Sequence, residues 1–327
     1  MGRQLEPPFQ HLFGLFRASV PATAGTTPSH PAAHHLPIFT RQHFLSRMFV
    51  LLNGQFIKEE KATVSVNNRS FRYGDGCFET MRLHEGRLPL ANFHFERLFH
   101  TLQALQFHYP SFFAPACLED QILELAKKNS HSENARIRLT VFAGNGGLYE
   151  DENRQISWLI QSWPIPALSP VINSNGLVVG VFENGFKAAD AFANLKTNNF
   201  LLYSQAAIYA KQHRWNDALV LNHMGTIADA TIANLFLVKG DTVIAPPLSD
   251  GPVNGVMRRW LLEELPTHGF SVLEKSIGTA DLEAADEAFL SNAIFGIKWM
   301  QSIGEKQFAA TTISSKIYQQ IVLPIFS

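Results

Sequence analysis

The chain is poor in cysteine: Cys77 and Cys117 are the only two in 327 residues. A disulfide framework and a cysteine-rich zinc site are therefore excluded, and the usage fits a reducing cytosol. Net charge is also missing, at -1, so no basic field is available to hold a nucleic-acid backbone. No apolar run approaches the ~18–20 residues needed to span a bilayer. Familiar site motifs are absent too. There is no Walker A loop, no HExxH and no GxSxG elbow. Gly144-Asn-Gly146-Gly147 starts like a dinucleotide loop, but the third glycine of GxGxxG falls on Tyr149 and no helix opens from it. What is present is an apolar share of 46%, ample for a packed core, over a length that favours two domains.

Residues 1–47 stand apart. Pro, Ala, Thr and His dominate, without sustained periodicity, and no basic start leads into an apolar core as in a secretory signal. Arg3 and Arg17 with few acids also suit a transit peptide. His30, His34 and His35 could touch a metal but have no fixed spacing. The plain expectation is a disordered or non-native extension, with Met48 serving as a natural start.

Beyond it, strands and helices alternate. Phe49–Leu52 and Gln55–Lys58 flank Asn53-Gly54, a strong hairpin signal. Residues 71–83 pair a glycine loop with a strand. Leu98, Leu102 and Leu105 predict a helix over 91–106, and Leu118, Ile122 and Leu125 one over 118–128. Strands follow at 136–143 and 156–162. A Pro/Gly/Asn cluster at 164–176 marks a boundary, giving a small domain at 48–165, a linker at 166–174 and a larger domain at 175–327. In the second half we expect a strand at 177–182, a helix from after Lys196 to about His213, an antiparallel meander of four strands over 217–245, a helix at about 256–265, a strand in FSVLEKSI, a short helix near 281–285 and a last strand at 287–291. Strands grouped with segregated helices argue α+β, two α/β domains, rather than a doubly wound sheet.

Some polar residues sit where surface residues do not belong. Lys196 in ANLKTNNF stands where a strand-like run gives way to a helix, and a lysine in an apolar cleft has a lowered pKa and can form a Schiff base. Asp229 lies among Ala, Ile and Thr and needs a partner there. A protonated ring nitrogen, a salt bridge or a cap would each serve. Arg97 is mid-helix on a face with Phe93. Gly255, at the start of the 256–265 helix, lets an anion approach free N–H groups at the positive dipole end. Cys77 reads as a small buried hydrophobe. A lysine, an acid, an arginine and a helix N-terminus together match the needs of pyridoxal 5'-phosphate.

The segments RSFRYGDGCFET (69–80), HFERL (94–98), LKTNN (195–199), DATIANLF (229–236), GPVNGVMR (251–258) and ADEAFLSNA (285–293) resemble the fold-type IV pyridoxal-phosphate enzymes. That group includes branched-chain and D-amino-acid aminotransferases and 4-amino-4-deoxychorismate lyase. The similarity spans about 48–327. It implies two α/β domains with the cofactor in the cleft between them, and a homodimer; the cysteine usage makes a cytoplasmic location the expectation. By resemblance, Lys196 is the Schiff-base lysine, Arg97 the phosphate-binding arginine, Asp229 the acid facing the pyridine nitrogen, and Gly255, Val256 and Met257 the helix start that holds the phosphate. The family usually has glutamate in place of Asp229. Asn234 is structural, and Leu201 replaces a tyrosine that touches the cofactor in branched-chain enzymes. Asn292 and Ala293 lie beside the cofactor. Ala293 stands where many aminotransferases have a phosphate-binding threonine.

The details favour the lyase. Asn254-Gly-Val-Met-Arg258 and Ser291-Asn292-Ala293 resemble its pattern, with Asn292 as the substrate-contacting asparagine. Ala143 stands where the lyase commonly has an arginine, and Arg138 resembles one of the branched-chain enzymes. Tyr73, Phe78, Arg138 and Asn292 are the candidate substrate-lining residues. The resemblance implies conversion of aminodeoxychorismate to 4-aminobenzoate and pyruvate, a step toward folate. The alternatives are a branched-chain or D-amino-acid aminotransferase and a non-catalytic cofactor-binding protein.

Overall fold

The computed structural model describes residues 48–149 and 154–326; the readings made for residues 1–47 lie outside them. The hairpin forms as expected, β1 Phe49–Leu52 and β2 Gln55–Lys58, with Asn53 and Gly54 both at positive φ. A one-turn helix, α1 Arg69–Tyr73, follows; the sequence reading has no helix there. It is capped by Asn68, whose Oδ1 accepts from the Ser70 and Phe71 N–H groups, and stopped by Gly74 at φ +72°. Then come β3 Gly76–His84, α2 Ala91–Ala104, α3 Pro115–Lys128, β4 Asn134–Ala143 and β5 Ile156–Pro164. The strands form an antiparallel sheet in the order β2-β1-β5-β4-β3. Leu98 and Leu102 of α2 and Leu118, Ile122 and Leu125 of α3 are buried against Met81, Leu83, Ile137 and Leu139 of the sheet, which is what their spacing predicted.

The second half contains β6 Leu177–Lys187, α4 Leu201–Gln212, β7 Asp217–Asn222, β8 Ile227–Ala230, β9 Asn234–Lys239, β10 Thr242–Ala245, α5 Val256–Thr267, β11 Ser271–Glu274, α6 Thr279–Ala284, β12 Glu287–Asn292, β13 Gly296–Ile303, β14 Lys306–Gln307 and α7 Thr312–Ile317. The expected four-strand meander does not form. The order is β11-β10-β9-β12-β13-β6-β7-β8, so β7 and β8 pair at one end while β9 lies between β10 and β12. The sheet curls, and β8 returns beside β9 through a bond from the Ala230 N–H to the Ala233 carbonyl, 2.8 Å. Strands β6 and β7 are parallel and joined across α4, as parallel neighbours require. Lys196 lies in that crossover, just ahead of α4. The last pairings, of β12 with β13 and of β13 with β6, lie beyond the last strand read from the sequence.

Candidate active site

Lys196 is held by backbone, not by its side chain. Its carbonyl accepts from the Phe78 N–H at 3.0 Å, and the Asn198 N–H donates to the Gly76 carbonyl at 2.8 Å. The crossover of the second sheet is thereby strapped to β3 of the first. Gly76 permits the approach, since a Cβ there would come within 2.4 Å of the Asn198 side chain and the Val141 carbonyl. The Lys196 amine lies 4.7 Å from the centre of the Phe78 ring and 5.4 Å from that of Phe200. Burial among these walls, and then the nearby Arg97 cation, bring its pKa down to about 7. No ion pair neutralises it among the described residues.

Arg97 is buried, 7% exposed, and fully oriented. Its Nε and Nη2 donate to Glu79 Oε1 and Oε2 at 2.8 and 2.6 Å, and Nη1 donates to the Asn254 carbonyl at 3.0 Å. Glu79 also meets His94 Nδ1 at 2.7 Å. Burial alone would raise the Glu79 pKa, but Arg97 and His94 outweigh it and hold the carboxyl at about 2. Burial pushes His94 down. Sequence reasoning did not single out Glu79 or His94. An acid one residue past Phe78 and two before Met81 in the strand GCFETMRLH was the available signal.

Asp229, 2% exposed on β8, has three neighbours. The Tyr203 hydroxyl donates to Oδ1 at 3.0 Å, the Val253 N–H donates to Oδ2 at 2.7 Å, and Lys187 Nζ lies 3.6 Å from Oδ2. Burial, then Asp229, push the Tyr203 phenol well up, so it stays a donor. Neither Tyr203 nor Lys187 was named from the sequence. Across the cavity, α5 begins at Gly255 with no side chain capping it, which leaves its first-turn N–H groups free of intrahelical partners. A Cβ at position 255 would come within 2.0 Å of Asn234 Oδ1, and Asn234 Nδ2 in turn holds the Val253 carbonyl at 2.9 Å.

Lys196, Arg97, Asp229, Gly255 and Val256 all face one cavity of about 370 Å³, as do Phe78, Arg138, Asn292 and Ala293. Two residues are placed differently. The Met257 side chain is packed in the core with Phe236 and Leu261, so only its backbone is available to an anion. Tyr73 does not line this cavity; it is 44% exposed beneath the Arg69 guanidinium, because α1 ends before the chain enters β3. The Asn292 side chain is occupied: Oδ1 accepts from the Ile294 and Phe295 N–H groups and Nδ2 donates to the Ile232 carbonyl. Leu201 is exposed. Cys77 is buried, its thiol pushed up by burial and by Glu79, as a small hydrophobe should be.

The residues fit pyridoxal phosphate. An uncapped helix terminus beside an oriented arginine suits a phosphate, a buried carboxylate suits a protonated ring nitrogen, and an amine of lowered pKa suits a carbonyl. The volume is that of an ordinary ligand pocket. No group of His, Cys, Asp and Glu among the described residues could hold a metal ion, and no described helix is long and apolar enough to cross a membrane.

Comparison with known proteins places the chain in a family. The chain is 31% identical to an aminodeoxychorismate lyase of Vibrio harveyi, over 72% of this chain and 85% of that one. It is 30% identical to the Bacillus subtilis aminodeoxychorismate lyase, over 80% and 88%. A branched-chain aminotransferase of Thermoproteus uzoniensis, solved with norvaline, superposes with a TM-score of 0.76 at 25% identity, covering 85% of this chain and 95% of that one. The family described as Amino-transferase class IV matches residues 76–303, and this chain, with its α+β fold and its lysine in the crossover between β6 and β7, belongs to it.

Proposed function

We propose that the chain is a pyridoxal-phosphate-dependent 4-amino-4-deoxychorismate lyase acting as a cytoplasmic homodimer. The observation that carries this reading is the single cavity in which Lys196, Arg97 with the α5 terminus, and Asp229 converge; the two lyase relatives support the choice of reaction. Exposed apolar side chains such as Phe71, Tyr149 and Ile232 support a second subunit.

Pyridoxal phosphate, when bound, supplies a carbonyl that condenses with amines and a ring that accepts electrons from the adjoining carbon. The residues do the rest. Arg97, kept rigid by Glu79, and the N–H groups of Val256 and Met257 hold the phosphate. Asp229, fixed by Tyr203 and the Val253 N–H, keeps a proton on the ring nitrogen. Tyr203 and Lys187 fix the position of this carboxylate, one methylene shorter than the family's usual glutamate. The Lys196 amine, its pKa lowered to about 7 by burial, takes the proton from the substrate carbon that bears nitrogen. The carbon–oxygen bond to the enolpyruvyl group breaks, that group leaves and gains a proton to become pyruvate, and the ring becomes aromatic.

A second reading, a branched-chain or D-amino-acid aminotransferase, is favoured by Arg138 on the cavity wall and by the Thermoproteus likeness. In that reaction the Lys196 amine would hand the proton back, and water would cleave the carbon–nitrogen bond so that a 2-oxo acid leaves while the amino group stays with the cofactor. Supplying aminodeoxychorismate should yield 4-aminobenzoate and pyruvate in equal amounts. Conversion to the pyridoxamine form by glutamate, valine or D-alanine, without 4-aminobenzoate, would establish the second reading instead. Lys196→Ala should lose the visible band of the lysine-bound cofactor and all turnover. A wild-type protein without that band after cofactor is added would leave only a non-enzymatic role.

A further inference from the structure

Arg136 was not singled out from the sequence, yet it lines the same cavity as Arg138. The two sit at i and i+2 of β4, so they project from one face of the sheet. Their neighbours in register on β3 are Arg82 and Thr80, with Phe78 one pair further on, opposite Thr140. Residues 137 and 139, between and beyond them, point into the core instead.

The three arginines of this wall are used differently. Arg82 is buried, and its guanidinium donates to the carbonyls of Ile294 and Pro166 and to Asn134 Oδ1. Both of its terminal nitrogens are taken in holding the two sheets together, and only the buried Nε is left without a partner among the described residues. Arg138 gives only Nε, to Thr140 Oγ1 at 3.2 Å, and lies 3.7 Å over the Phe78 ring. Arg136 stacks on Trp163, 4.6 Å from its centre. Among the described residues no carboxylate pairs with either Arg136 or Arg138, while the cavity's own acid, Asp229, is taken by Tyr203, Val253 and Lys187. Two neighbouring cations therefore face one cavity without a counter-charge, each lying over an aromatic ring that supports it and leaves donors free. Burial, and then Arg136, push the Arg138 pKa down, so the pair is improved by an arriving anion.

We infer that Arg136 and Arg138 bind the two carboxylates of a dicarboxylic amino substrate, Arg138 the one nearer the reacting nitrogen and Arg136 the distal one. The order follows from position. Arg138 shares the Phe78 ring with the Lys196 amine, 3.7 and 4.7 Å from its centre, whereas Arg136 is exposed, one strand repeat of about 7 Å nearer the mouth. This rests on the reading that the substrate amine reacts beside Lys196. It excludes, as preferred substrates, amino acids whose far end is apolar.

The test uses holoenzyme with rigid unreactive probes, benzene-1,3-dicarboxylate against benzoate, and follows binding by calorimetry and by the cofactor's visible spectrum. Wild type should bind the dicarboxylate at least tenfold more tightly. Arg136→Gln should lose about tenfold to a hundredfold of dicarboxylate affinity, with benzoate affinity and the visible band unchanged. Arg136→Lys should recover part of the loss, and Arg138→Gln should weaken both probes. Equal binding of the two probes by wild type, or an Arg136→Gln variant that changes both affinities alike or neither, overturns the inference. The outcome is separable from that of the lyase assay. Probe discrimination that depends on Arg136, without 4-aminobenzoate formation, keeps the inference and removes the lyase reading. 4-Aminobenzoate formation with unaltered probe binding in Arg136→Gln does the reverse.

Discussion

Glu79 illustrates how one buried side chain can govern a site without facing the ligand. Its two oxygens bind the Arg97 fork and one also meets His94, so the guanidinium presents a fixed edge to the cavity. Glu79→Gln keeps the volume and removes the charge that holds the fork. Cofactor affinity should fall by about tenfold or more, since a charge-assisted bond is lost, and turnover should recover at saturating cofactor; a titration followed at the visible band measures both. Lys196 carries a pH prediction. With the amine near 7, condensation of apoprotein with pyridoxal phosphate should accelerate through about pH 7 and then level off, not climb toward 10.5 as for an ordinary lysine. The sign for stability follows. Between about pH 7 and 10.5 the unfolded chain binds a proton the native chain has given up, so the apoprotein gains stability as pH rises through that window. Denaturant midpoints should show this gain in wild type and lose it in Lys196→Met. Lys196 and Asp229 could be picked out in the sequence because each is an unusual type for its apolar surroundings, and Arg97 because HFERL resembles a family motif. Lys187 and Tyr203 could not, because what distinguishes them is Asp229, which is 42 and 26 residues away in the chain.

At the level of elements, α5 shows why a helix start can be a ligand site. Gly255 caps it without a side chain, and Asn234 occupies the space a Cβ would take. Gly255→Ala must push Asn234 or the helix start aside. Overpacking of this kind costs about 1–3 kcal/mol, so thermal unfolding should come several degrees lower and the cofactor should be lost on dialysis. Helices whose leucines recur every three or four residues were legible, because a single apolar face is all they need. The order of strands was not. Strands β7 to β10 are buried along nearly their whole length, so they carry no alternation to say which neighbour they pair with. α1 is too short for any period to register.

Across the whole molecule, the cavity is walled by both sheets. Phe78 and Arg138 come from the first, Asp229 and the α5 terminus from the second, and Lys196 is bonded between them. A ligand held by both should stabilise the folded chain by about 2.7 kcal/mol at a hundredfold excess over its dissociation constant. Thermal midpoints should therefore climb with added pyridoxal phosphate, and climb less in Lys196→Ala, where only the phosphate and ring contacts remain.

Composition, the spacing of leucines, the Asn-Gly turn and the order of short polar motifs were enough to determine the fold class, the longer helices and the family, and to single out Lys196, Arg97 and Asp229, which share one cavity, because each is a local feature of the chain. The curl that returns β8 beside β9, the capture of Arg97 by Glu79, the withdrawal of Met257 into the core and the placing of Arg136 beside Arg138 were decided only by tertiary structure. They depend on which residues distant in the chain come within a hydrogen bond of one another, and strands buried on both faces leave that pairing unwritten in their pattern.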